Sequence, residues 1–144
     1  VVYPDLNAER DILLKSTGVE SDKLKQVMDA KSLQEGQHLV RRVPVGERVV
    51  DAILDLVRAG RPEITDIEAV RKHVSWGPGP RASQALMMAV RARAAIDGRL
   101  SPSLDDVLAL AHPVLRHRMA LTFAARAEGV TLGSVIDQLC DRIT

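Results

Sequence analysis

An all-α domain is the fold class that these 144 residues predict, and three observations carry it. Apolar residues recur at helical spacing in seven or eight segments, each bounded by a capping residue, a proline or a glycine. Hydrophobic residues make up 46% of the chain but aromatics only 2%, namely Tyr3, Trp76 and Phe123. The core must then be built from Leu, Val, Ile and Ala, which suits packed helices better than a sheet. Finally, no long linker, internal repeat or low-complexity tract interrupts the sequence, so one domain over residues 1–144 is expected.

Val1, Val2 and Tyr3 are β-prone and are stopped by Pro4. Residues 5–17 read as a helix, with Leu6, Ile12, Leu13 and Leu14 along it, acids early, and Gly18 at the C′ position. Residues 21–28 read as a short charged helix or turn. Asp29 is placed to cap a helix reaching about residue 41, with Leu33, Gln37 and Val40 on one side. Val43-Pro44-Val45-Gly46 is a break, and a helix resumes over 47–59. Its Val49, Val50, Ile53, Leu54, Leu56 and Val57 cover most of the circumference, which predicts the most buried helix of the domain. Gly60-Arg61-Pro62 ends it.

Thr65-Asp66-Ile67-Glu68 has the form of a capping box opening a short helix to His73. Pro80 suits a first helical position, where its missing N–H costs nothing. The long helix to residue 97 should bury Ala82, Ala85, Leu86, Ala89 and Ile96, and Gly98 closes it. Arg93 falls inside that stripe, so it either snorkels or pairs with a partner surface. Ser103 and Asp106 form a second capping-box pattern, for a helix through residue 111, and Pro113 marks a further one over 114–118. Residues 119–123 suit a short strand, pairing with 1–3 as a minor ribbon. Gly129 breaks the chain, Thr131 caps, and 132–143 is the last helix.

Composition narrows the function classes. A net charge of +1 supplies no polyelectrolyte attraction to nucleic acid or an acidic membrane. The basic residues are nonetheless lopsided, fifteen Arg against five Lys, and Arg suits bidentate contacts to carboxylate and phosphate. Cys140 is the single cysteine, so no disulfide framework exists and a reducing cytoplasm is the expected setting. No apolar run approaches the ~18 residues of a membrane span. The chain opens without Met and has no signal peptide pattern, so it is expected to be a piece of a longer protein.

Known chemistries find few footholds. No Gly-x-x-x-x-Gly-Lys-Ser/Thr run is present, and no apolar strand precedes Asp105-Asp106 to make them a metal-holding pair. The chain by itself is therefore not expected to hydrolyse a nucleotide. His38, His73, His112 and His117 are scattered, and the last two do not align on a helical face as an i, i+4 pair would, so no metal site is expected. Arg99, Arg116, His117 and Arg118 form a cationic run, either solvated or a rim for an acidic partner or a phosphate. Arg41-Arg42 has the same two readings.

Arg81 stands out. It lies in the first turn of its predicted helix, beside unpaired N–H groups and about half a positive charge from the macrodipole. A cation there costs a few tenths to about 1 kcal/mol unless an anion sits between. A helix N-terminus plus a guanidinium fork receives a phosphate well. The plainer alternative is a solvated Arg lying on Trp76.

Three pieces in fixed order give the chain a family likeness. They are Gly77-Pro78-Gly79-Pro80-Arg81-Ala82; Gly98-Arg99 followed by Ser101-Pro102-Ser103-Leu104-Asp105-Asp106-Val107; and Val114-Leu115-Arg116-His117-Arg118. Together they resemble the C-terminal lid of MoxR-family AAA+ ATPases. Val2-Tyr3-Pro4, with Glu9, Arg10, Ile12 and Leu13, is similar to the segment leaving that family's ATPase core, making residues 1–4 a stub of it. Leu56-Val57-Arg58-Ala59-Gly60-Arg61 is similar to a helix end in the lid, with Gly60 where Thr is commoner.

The resemblance implies a helical lid without its nucleotide-binding core, in a parent that is an ATPase using ATP and Mg2+. It makes Arg81 the sensor 2 residue, catalytic only in the assembled parent, with Gly79 and Pro80 beside it at the nucleotide and Gly79 replacing the motif's Ser. Implied partners are the upstream core, neighbouring subunits of a ring, usually a hexamer, and proteins carrying a von Willebrand factor A domain, in chaperone-like remodelling. Two other classes compete: a helical protein-interaction scaffold that never meets nucleotide, and a helical DNA-binding domain.

Overall fold

The computed structural model describes residues 3–18 and 25–143, and among them are eight helices and one two-stranded antiparallel ribbon. The chain divides into two compact units, Val1–Leu33 and Gln34–Thr144. In the first, helix α1 (Leu6–Ser16) starts where the Asp5 carboxylate accepts from the Ala8 N–H at 2.9 Å. It ends where the Thr17 hydroxyl donates to the Leu13 carbonyl at 2.6 Å. Gly18 does not adopt the left-handed conformation that a C′ glycine often supplies. None of α1 is buried.

Helix α2 (Ala30–Arg42) opens as expected on Asp29, which accepts from the Ser32 N–H at 2.7 Å. It runs into the second unit without burying a residue. Of the segment expected as a charged helix or turn, residues 21–24 lie outside the described residues, as do 1–2 of the amino-terminal stub. Residues 25–29 are not helical, and Tyr3 is irregular and exposed.

The second unit holds the core. Helix α3 (Glu47–Ala59) has the expected bounds and buries six of its residues, Val49, Ala52, Ile53, Leu56, Val57 and Ala59. After α4 (Glu68–His73) and strand β1 (Val74–Trp76) come two long helices, α5 (Pro80–Ile96) and α6 (Leu104–Leu115). These two pack on each other and on α3, and α8 (Leu132–Asp141) closes against α6 and α3. Strand β2 (Ala120–Leu121) and helix α7 (Phe123–Ala127) lie between α6 and α8 in sequence. The core is aliphatic throughout, with Ile53, Leu56, Leu86, Leu115, Ile136 and Leu139 its largest fully buried side chains.

Several expectations are corrected. The ribbon forms between β2 and β1, with Val74 facing Leu121 and Trp76 facing Ala120 across a bulge; of the expected partner at 1–3, Tyr3 is in no strand and residues 1–2 lie outside the described residues. Val74 and Leu121 thereby bury their side chains on the ribbon's inner face, and His73 continues the pairing by accepting from the Thr122 N–H at 2.7 Å. The strand expected over 119–123 is shorter, because the Thr122 hydroxyl accepts from the Ala125 N–H at 3.2 Å and caps α7, drawing Phe123 into a helix.

Residues 65–68 make no capping box. The Thr65 hydroxyl bonds the Ile67 N–H at 3.1 Å, a turn two residues long, and Ile67 becomes the cap residue of α4. Pro113 does not divide α6, for it stands in the last turn, where its missing N–H deprives only Ala109 of a partner. Ala109 is exposed, so water can reach its carbonyl.

The buried line of α5 is Ala82, Leu86, Val90 and Ala94, and Ile96 is 84% exposed. Steps of four residues advance about 40° around a helix, so this line winds with its partners and leaves Ile96 on the far side. The last helix ends at Asp141, two residues short of the expected 143.

Ile53 and Leu86 sit at 1% and 0% exposure, at the middle of the α3 and α5 stripes as expected. Truncating either to Ala should cost roughly 2–5 kcal/mol in a two-state urea titration. A loss below about 1 kcal/mol would mean that the site collapses around the cavity or that the face is wrong.

Candidate functional site

Residues 77–81 enter α5 along the end of α3, and the approach is backbone against backbone. A Cβ on Gly77 would lie 2.3 Å from the Gly60 carbonyl oxygen and 2.7 Å from the Arg61 Cα, so only glycine fits. A Cβ on Gly60 would in turn meet the Pro78 ring at 2.9 Å. Pro78 is fully buried, and its carbonyl accepts from Arg61 Nε at 3.0 Å. Gly79 follows with extended backbone, φ −83° and ψ −177°, as the N-cap residue. Pro80 then opens the helix, as its fixed φ favours.

Arg81 is therefore the second residue of α5, exposed as predicted. No hydrogen bond, ion pair or ring contact among the described residues holds its side chain, so it does not lie on Trp76. The first turn of α5 carries no acid. A guanidinium is thus presented beside a helix N-terminus, with nothing in the turn to neutralise either. Gly79, at the position of a cap residue, has open space where a Cβ would stand and makes no side-chain cap. Gly79, Pro80 and Arg81 are consecutive and exposed.

The second sequence piece makes a different structure. Gly98 takes φ +69° and turns the chain out of α5, and the Arg99 N–H bonds the Ala94 carbonyl at 2.8 Å. Arg99 then grips Asp106 with both terminal nitrogens at 2.7 Å and reaches Asp97 at 2.8 Å. Arg93 Nε adds a contact to Asp106 at 3.1 Å, and the Ser103 N–H donates to the same carboxylate at 2.8 Å. The expected capping box at Ser103 is present. Asp106 has only 3% of its side chain exposed. The guanidinium of Arg99, above all, holds its carboxyl down to about 2, against a burial that alone would raise it. Arg99, expected on a solvated face or a partner-facing rim, is instead an internal clamp, and Arg93 finds its partner within the domain.

The third piece closes α6. Arg118 donates to the Val114 carbonyl at 2.7 Å and also contacts His117, leaving Arg116 and His117 exposed. His112 does not approach a metal-like cluster; its Nε2 meets Asp137 at 2.8 Å, tying α6 to α8. Among the described residues no group of three metal-ligating side chains occurs. Burial, then Asp137 and Asp141, raise the Cys140 thiol above its usual value, the opposite of what a nucleophile needs. Arg41 and Arg42 are exposed. No helix of the described residues is long and apolar enough to cross a membrane.

Two features escape a reading of the sequence. Arg61 reads as part of a helix terminator, and nothing local announces that its side chain reaches Pro78. Asp106 reads as a capping residue, and its role as the counter-ion of two arginines needs the turn of α5 into α6.

Comparison with known proteins agrees with this architecture. Residues 67–139 match the family described as the AAA lid domain, an interval running from α4 into α8. Chaperone MoxR1 of Mycobacterium tuberculosis is 31% identical over 144 residues, covering 99% of this chain and 38% of that protein. The uncharacterized protein YeaC of Bacillus subtilis is 28% identical over 142 residues, with 98% and 42% covered. The chain spans about two fifths of the length of these curated relatives. A crystal structure of a candidate ATPase from Cytophaga hutchinsonii has the same fold, with a TM-score of 0.84 at 22% identity, over 100% of this chain and 44% of the other.

Two substitutions check the geometry of the loop. Gly77→Ala should destabilise by about 3 kcal/mol or more, since backbone atoms must move to admit the methyl, whereas Gly79→Ser should gain a few tenths of a kcal/mol as a cap. Urea titration reads both, and an unharmed Gly77→Ala would show that the loop is free of α3.

Stability should also fall in acid through Asp106. Its folded pKa lies below the unfolded value, so its contribution is complete above about pH 5 and is lost progressively as pH falls through 3.8 towards 2. Wild type should lose about 1–2 kcal/mol more than Asp106→Asn across that window. Parallel losses would mean that the clamp does not titrate with folding.

Proposed function

The chain belongs to the AAA lid domain family, and we propose that it serves as the lid of a MoxR-type ATPase in which Arg81 is the sensor 2 residue. The observation that carries the reading is Arg81, without a partner among the described residues, in an acid-free first turn on a loop packed closely against α3. An exposed cation at the positive end of a helix dipole is unfavourable by up to about 1 kcal/mol unless an anion joins it. The phosphate oxygens of a nucleotide held by the adjoining core are an anion of the right chemistry.

ATP, bound with Mg2+ by a core outside these residues, would supply the transferable γ-phosphoryl group, and the metal would offset part of its charge. Arg81 brings a planar fork of donors that binds an equatorial oxygen of that group and stabilises its charge as transfer proceeds. Pro80 and Gly79 let the helix terminus approach closely, since neither presents a bulky or acidic side chain there. Because Arg81 has a partner with ATP and loses it with ADP, the lid binds differently in the two states, which is the requirement for a nucleotide-driven change of core–lid angle. The α3–α5–α6 packing and the Arg93/Arg99/Asp106 clamp carry that change across the domain as one body.

On this reading the parent protein works in the cytoplasm as a ring, a hexamer as in the resembled family. It remodels partner proteins that carry a von Willebrand factor A domain, and the lid meets the core of its own chain and neighbouring subunits.

In the full-length protein, Arg81→Ala should lower ATP turnover by ~10²-fold or more, the scale for losing one transition-state charge stabiliser. Arg81→Lys should recover part of it, because a point charge does not reproduce the fork. The melting curve of the 144-residue chain should be unchanged by either substitution, and that chain alone should not turn over ATP. Turnover that merely follows the folded fraction of the mutant would make Arg81 a structural residue and end the sensor assignment.

A further inference from the structure

We propose that Arg61 is a positioning residue for the ATPase reaction, acting on Arg81 through its hydrogen bond to the Pro78 carbonyl. The inference rests on the reading of Arg81 given above. Arg61 lies outside the family match at 67–139 and contacts nothing assigned to catalysis. It follows Gly60, the residue that caps α3, and is part-buried, with Nε 3.0 Å from the Pro78 oxygen seventeen residues on.

The course of the loop explains why that bond matters. Pro78 is fully buried, so its carbonyl needs a donor inside the protein, and Arg61 is the donor found. Between Pro78 and Arg81 stand only Gly79, with no side chain, and Pro80, with no N–H. Both are exposed, and a Cβ on Gly79 would touch nothing. No side chain in this stretch anchors the path, and Gly79 is its softest joint. The direction in which α5 leaves the loop is therefore set from two sides. Buried Ala82 and Leu86 hold the helix, and the Arg61 bond with the Gly60–Gly77 contact holds the loop. Arg61 has no ion pair among the described residues, so its Nε–H is given to the loop rather than to a carboxylate. Releasing the bond frees the peptide three residues ahead of Arg81 and lets the guanidinium wander by a fraction of a turn.

A double-mutant cycle in the full-length protein tests this. Arg61→Met keeps the apolar stem and removes the donor; Arg61→Lys keeps the charge and moves the donor. Arg61→Met should lower kcat about tenfold, a modest share of what a ~1 Å misplacement can cost. KM for ATP should stay within about twofold and the melting temperature within a few degrees. Arg61→Lys should recover part of kcat. In an Arg81→Ala background, Arg61→Met should change kcat by less than about twofold, because its target is gone. The proposal is overturned if Arg61→Met leaves kcat intact while Arg81→Ala lowers it. It is equally overturned if the two losses multiply, since Arg61 would then act by its own charge. Should Arg61→Met unfold, Arg61→Lys enters the same cycle under the same criteria. An Arg81→Ala variant with normal turnover removes the sensor reading and this inference together, and the single variant identifies that case.

Discussion

The contact on which the candidate site depends is the meeting of two glycines. Gly77 runs so close to the Gly60 carbonyl that a single methyl has no room. Hydrophobic burial alone would bring the two segments together loosely, to within side-chain distance. The missing Cβ of Gly77 lets its backbone rest on that of Gly60 and Arg61, and the missing Cβ of Gly60 makes room for the Pro78 ring. Pro78 and Pro80 stiffen the segment further by fixing φ. The result is a helix start held by close backbone contact, by the Arg61 bond and by the burial of Pro78, Ala82 and Leu86, which is what a residue needs if it must meet an external group at a fixed distance.

The opposite end of α5 is held by different physics. Asp106 is almost wholly removed from solvent and is shared between Arg99, Arg93 and the Ser103 N–H. A carboxylate in that position is costly alone and tolerable only when fully partnered, so the cluster stands or falls as a unit. Its low pKa measures how completely the arginines and the amide outweigh burial. Between the glycine contact and this clamp, α5 is fixed at both ends, while Ala82, Leu86, Val90 and Ala94 bury its length. Small residues in that line let α3 and α6 come close.

Much of this was legible in the chain. The bounds of α3 and the start of α5 followed from apolar spacing, Pro80, Gly60 and Gly98, because these signals act within one or two turns of the residue that carries them. The caps at Asp29, Ser103 and Thr131 were legible for the same reason. Thr65 misled, since a hydroxyl can close a two-residue turn as readily as it caps a helix, and the residues after it decide between the two. Pro113 misled because a proline in a last turn loses a bond that water replaces. The strand at 74–76 gave little signal, since Ser75 stands between its two strand-favouring residues, and it is the pairing with 120–121 and the burial of Val74 and Leu121 that make it one.

By itself the sequence determined the helical class, the aliphatic core and the oddity of Arg81, all of which rest on local propensity, periodicity and the fixed dipole of a helix. Tertiary structure alone decided what surrounds them. Whether Arg99 faced solvent or Asp106, whether Arg93 snorkelled or paired, and where Arg61 directed its Nε–H were matters of three-dimensional proximity. The partners of Arg99 and Arg93 are separated in the chain by a turn, and that of Arg61 by seventeen residues. A long flexible guanidinium has no intrinsic preference among such partners. The packing of α3, α5 and α6 supplied one, by bringing the buried Asp106 within reach of Arg99 and Arg93 and the carbonyl of buried Pro78 within reach of Arg61.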